Sequence, residues 1–298
     1  MTVPKLLQAL LGLSALTLAP AAGAQAHAMH GPPSSATVAE LVSGFRARAK
    51  ALEGTSGMRL GYRSLQSTSG LPADGVRYAD FVVVRLLFES TRDAGLWNLH
   101  WTITNRPPES DNIWRQWQTV SKPSSVAPTA SAECDELSAL FAFLARSLGI
   151  KGVGLLWPYP NHTVAVWEIR PAARQPVRVV VPTTQIFLGP EDLFGTRKFD
   201  PWRQRSIFEY TRRDAPASLA LPRSLLDFFL GQAERYGGAS DAALQRLRYL
   251  REAVFLRRLT PEQAAVEAER ALTASSPDDL QAFVGFAEEM RGARGGGR

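Results

Sequence analysis

The chain has 298 residues, of which 45% are hydrophobic and 21% charged, and a formal net charge of +6. This length and balance suit one large or two small globular domains and exclude a wholly disordered chain. A single cysteine excludes an internal disulfide framework. The positive charge is scattered arginine, with lysine only at Lys5, Lys50, Lys122, Lys151 and Lys198, and no nucleic-acid-binding motif accompanies it. It reads as a solvated surface that favours anionic material such as cell-envelope polymers, and no nucleic acid is expected as a partner.

Residues 1–26 read as a signal peptide. Lys5 supplies the positive end, Leu6 to Leu18 an apolar run, and Ala24-Gln25-Ala26 a small-x-small cleavage site. The alternative is an N-terminal anchor helix, but the run falls short of the ~20 residues a bilayer span needs. No cysteine follows the run to carry a lipid, and no later segment reads as transmembrane. The expectation is a periplasmic or secreted protein without stable membrane insertion.

After a flexible lead over residues 27–35, apolar spacing predicts a helix from Thr37 to Leu52, with Val38, Leu41, Phe45 and Ala49 on one face. A Gly/Ser-rich loop is expected over 53–75, then a strongly apolar segment from Val76 whose length and Gly95 stop favour helix. Trp97, Trp101, Trp114 and Trp117 follow, either an exposed aromatic groove for a polymer or, as is commoner, core. A Pro/Ser-rich loop, Lys122 to Ser131, leads into a helix with the stripe Leu137, Phe141, Leu144 and Leu148. Beyond Gly149 the period changes to two. "KGVGLLW", "HTVAVWEI" and "VRVVVPTT" read as strands, the last two joined as an antiparallel hairpin. From Pro222 the pattern is helical, with capping signals at Thr260-Pro261-Glu262-Gln263 and Ser276-Pro277.

The lone cysteine, Cys134, opens the helix. With Ser131 as N-cap it stands at the third helical position, where free N–H groups and the helix dipole favour a thiolate. It also extends the apolar stripe, which suits a buried structural cysteine equally well. A nucleophilic thiol needs a base. His27 and His30 lie in the lead, His100 among tryptophans reads as a packed histidine, and His162 begins the second strand. A turn centred on Ala173 sets His162 opposite Thr184.

This order of helix with cysteine, strand, strand with histidine, strand resembles the transglutaminase-like superfamily, including bacterial transglutaminase-like cysteine proteinases of papain-like fold. The residues that carry the likeness are "AECDELSALFAFLARSLGIKG", "NHTVAVWEI" and "VRVVVPTT", within Ser131–Thr184. It implies an α+β fold with the cysteine helix packed on a small antiparallel sheet over residues 36–215. A helical C-terminal region over 216–292 and a flexible tail over 293–298 would follow. It also implies Cys134 as nucleophile and His162 as base. The family's orienting Asp is replaced by Val181. Gln185 is the nearest side chain able to take that role, as Asn does in papain-like enzymes, with Asp192 and Asp200 more distant. The oxyanion donors would be the Cys134 N–H and an unassigned side chain, for which Gln116 and Gln118 are the candidates. Two functions follow. One is an exported thiol enzyme acting on peptide or amide bonds of a protein or cell-envelope substrate by hydrolysis or transamidation, without a cofactor. The other is a catalytically inactive module that binds or scaffolds at the envelope. One Cys and one well-placed His are too few for a zinc site.

Overall fold

The computed structural model describes residues 34–69, 71–72, 74–104, 109–159, 162–171, 175–184, 215–274 and 276–293. It is an α+β structure with small sheets among packed helices.

Helix α1, Val38–Leu52, starts where the sequence sets it. Thr37 caps it, its hydroxyl accepting the Glu40 N–H while the Glu40 carboxylate accepts the Thr37 N–H. Val38, Leu41, Phe45, Ala49 and Leu52 are buried, the predicted stripe extended by one turn. The short strand β1, Ser35–Thr37, pairs antiparallel with β7, Ala220–Pro222. The N-terminal end of the described chain is thereby tied to the start of the C-terminal helices.

The expected loop over 53–75 is in large part a helix, α2, Ser56–Ser69. Its glycines serve packing: a Cβ on Gly61 would stand 3.1 Å from Phe81 and Arg85. Met58, Gly61 and Leu65 are the buried stripe that the Gly/Ser content concealed. Helix α3, Tyr78–Thr91, is buried on nearly every side from Phe81 onward. Its Arg85 is buried with full satisfaction, donating to Asp241 Oδ1 at 2.7 and 2.9 Å and to the Ala239 carbonyl at 2.9 Å.

Three of the four tryptophans are core. Trp97 stacks on Phe229 at 4.5 Å and meets Trp117 edge-on at 5.8 Å, and Trp117 meets Trp114 on α4, Asn112–Gln118. Trp101 is only half-buried and lies on β2, Leu99–Trp101, which pairs in parallel with β3, Ala130–Ala132. Helix α5, Cys134–Ser147, follows β3 at once and packs on an antiparallel sheet ordered β4 (Val153–Tyr159), β5 (His162–Ile169), β6 (Val177–Val181).

The β5–β6 register, Ala165↔Val181 through Ile169↔Val177, is centred on residue 173 as the sequence predicts. Alternation sorts the two faces. Leu155, Ala165, Trp167, Val179 and Val181 join the main core with Leu137, Phe141 and Leu144 of α5. Leu156, Val164, Val166 and Val180 form a second cluster on the opposite face.

The C-terminal helices are α6 (Arg223–Tyr236), α7 (Asp241–Phe255), α8 (Pro261–Glu269) and α9 (Pro277–Gly292). Thr260 and Ser276 cap the last two as read from sequence. Their buried residues, among them Phe229, Leu247, Ala265 and Phe286, belong to the same hydrophobic cluster as α1 and α5. No helix among the described residues is long and apolar enough to cross a membrane.

Candidate functional site

The site begins with how α5 starts. Ser131 is not its cap. Ala130–Ala132 is extended because it pairs with β2, so the helix begins later, with Glu133 as cap and Cys134 as its first helical residue. Glu133 and Glu136 cap each other reciprocally, the Glu133 N–H donating to Glu136 Oε2 at 2.9 Å. Upstream, the Gln116 carboxamide pairs with both peptide groups of Ser131. The Ser131 N–H donates to Oε1 at 2.9 Å and Nε2 donates to the Ser131 carbonyl at 2.8 Å. Gln118 Nε2 reaches the Ala220 carbonyl at 3.5 Å. Both amides are thus engaged away from the thiol.

On β5 the Glu168 peptide faces β4, its N–H donating to the Gly152 carbonyl at 2.8 Å, so Ala165 and Thr163 turn theirs toward β6. The β6 ladder ends at Val181. The carbonyl of Thr183, which the same register sets opposite Thr163, instead accepts the Asp93 N–H at 2.8 Å. The first turn of α5 fills that gap. Ser138, one turn into α5, donates to the Thr163 carbonyl at 3.3 Å, and Cys134 is buried with the Thr163 N–H near enough to favour its thiolate. The Ser138 hydroxyl also meets Thr183 Oγ1 at 2.9 Å.

His162, the preceding residue, is buried at 1% exposure. Strand alternation puts it on the face of Val164 and Val166, opposite the face that packs on α5. The same register sets it opposite Thr184, also buried. Among the described residues no hydrogen bond joins Cys134 to His162. Gln185, Asp192 and Asp200 lie outside the described residues.

The electrostatics oppose an ion pair. Burial pushes the Cys134 thiol above its ordinary value, and the flanking carboxylates of Asp135 and Glu133 add to this. The Thr163 and Asp135 N–H groups pull the other way without prevailing. Burial lowers His162 to about 4, so at neutral pH its imidazole is uncharged. Burial also raises Asp135 to about 6, helped by Glu136 and Glu133. The helix-dipole advantage expected for a thiolate is therefore outweighed by desolvation and by the acidic first turn.

A second constellation escaped the sequence reading. His100, expected as a packed histidine, is part-exposed on the wall of a cavity of about 200 Å³, with its Nδ1 3.9 Å from Asp93 Oδ1. Asp93, Trp101, Phe255 and Leu256 line the same cavity. Among the described residues no group of three or more His, Cys, Asp or Glu side chains is placed to hold a metal ion. No family model matches the chain, and no curated protein or solved structure matches it either.

Proposed function

We propose that this chain is an exported transglutaminase-like module in which Cys134 is structural, acting as a binding or scaffold protein on cell-envelope material. The observation that supports it most directly is the closing of α5 over the Thr163 peptide, with Ser138 bonded to its carbonyl and Cys134 buried beside it. Val181 in place of a carboxylate, a neutral imidazole and a thiol raised by burial point the same way. Export rests on the Lys5, Leu6–Leu18 and Ala24-Gln25-Ala26 pattern.

The thiol-enzyme reading keeps one favourable observation, the nearness of Cys134 to the Thr163 N–H, on the residue next to His162. In that reading His162 takes the thiol proton as sulfur bonds the amide carbon. The imidazolium then protonates the departing amine, and water or a second amine cleaves the thioester.

Thiol alkylation separates the two. Iodoacetamide labelling of Cys134, followed by intact mass against pH, is expected to accelerate only at alkaline pH and to be the same in His162→Ala. A plateau at mildly acidic pH, lost in His162→Ala together with about 10²–10⁴-fold in acylation by an activated ester, overturns the module reading.

A further inference from the structure

We propose that the cavity walled by Asp93, His100 and Trp101 binds a small organic cation, a protonated amine on a short apolar or aromatic stem. The inference concerns a different site from the thiol and holds whichever role Cys134 has.

The cavity has an electronegative lining on an apolar frame. One oxygen of Asp93 is fixed, since Oδ1 accepts the Trp101 N–H at 2.7 Å, while Oδ2 carries no hydrogen bond from a described residue. Glu252 also lines it, at the C-terminal end of α7, where the helix dipole is negative. Phe255, Leu256, Leu99, Trp101 and Pro128 supply the apolar surface. His100 lies against the Phe255 ring at 3.9 Å between centroids. The cationic wall residue, Arg251, is turned to other work, donating to the Ala94 and Gly95 carbonyls at 3.2 and 2.6 Å. Burial raises the Asp93 carboxyl above its ordinary value, a rise that the Trp101 N–H and the fields of His100, Arg248 and Arg92 only partly offset.

Backbone strain marks the same place. Among the described residues the non-glycine positions with positive φ are Ala94 (51°), Asn98 (51°) and Arg257 (57°). The first two line the cavity and the third follows Leu256, which also lines it. Strained backbone persists where surrounding structure holds it, and it gathers at ligand sites. Here Asn98 is held by donation from Nδ2 to the Ser124 and Ala127 carbonyls at 3.0 and 2.7 Å, which also anchors the loop bearing Pro128.

The test is calorimetric titration of the full chain with benzylammonium, with benzyl alcohol as its neutral counterpart and benzoate as its anionic one. Benzylammonium is expected to bind on the order of tenfold more tightly than benzyl alcohol, and benzoate more weakly than either. Asp93→Asn, whose amide oxygen can still accept the Trp101 N–H, is expected to erase the preference. Leu256→Lys, at a rim position 41% exposed, should weaken benzylammonium alone. If Asp93→Asn does not fold, the rim variant decides. Equal binding of the three probes, no binding at all, or an unchanged preference in the folded variants overturns the proposal. Cys134→Ala is expected to leave the affinity as it was.

Discussion

The thiol region and the Asp93–His100 cavity each hold a histidine and a reactive or charged group, and treat them in opposite ways. At the thiol, polar groups are enclosed: the Ser138 hydroxyl completes a strand end, Cys134 is buried, and His162 is buried and uncharged. At the cavity, Asp93 keeps one oxygen without a described partner, His100 reaches accessible space, and two lining residues have positive φ. If Cys134 is structural, as proposed, burial decides its role more than its position on a helix does.

The largest expected effect that sharpens this contrast is in the pH dependence of stability. His162 falls from 6.5 to about 4 on folding, so between those values the unfolded chain binds the extra proton. Its neutral burial therefore contributes stability that is complete above about pH 6.5 and is lost as pH falls toward 4, to the extent of about 3 kcal/mol. Asp135 moves oppositely, from 3.8 to about 6, so its contribution is lost as pH rises through that window, by about 3 kcal/mol as well. The two slopes nearly cancel. Urea unfolding at pH 4 to 6.5 should show His162→Gln losing stability with rising pH and Asp135→Asn gaining it. Equal slopes in both variants would mean that neither burial governs.

A smaller effect tests the sulfur's structural role. Cys134→Ala removes the buried sulfur beside the Thr163 N–H and is expected to cost about 1–3 kcal/mol. Cys134→Ser, which places a hydroxyl there, should recover part of that in the same unfolding measurement. An Ala variant as stable as the parent would return the thiol to the functional column. The smallest effect concerns the cavity. Ala94→Gly relieves a left-handed alanine, worth about 1–2 kcal/mol, and adds about 0.5–1 kcal/mol of unfolded-chain entropy. The expected net gain is about 0.5–1 kcal/mol in thermal or urea unfolding, with weaker benzylammonium binding as the wall loosens.

Much of the fold was legible because its signals were local. The α1 stripe, the caps at Thr260 and Ser276, and the hairpin register centred on Ala173 each depend on a few neighbouring residues. Helix α2 was missed because its glycines and serines count as loop formers, and only the approach of Phe81 and Arg85 shows why Gly61 must be small. The start of α5 was misplaced because pairing of β3 with β2, a tertiary fact, kept Ser131 extended. The thiol centre was half legible. Its members could be found by spacing, but the electrostatics could not, since burial decides them. The cavity was not legible at all. Its walls come from residues 93–101, 128 and 251–256, and no pattern within any one of them announces the others.

Gln116 has a consequence of its own. By offering one carboxamide to both peptide groups of Ser131, it imitates a neighbouring strand with a single side chain. The edge of β3 is thus plugged from within, three residues before Cys134. An incoming extended peptide finds no open ladder to join there, and strand-to-strand self-association is blocked at the same spot.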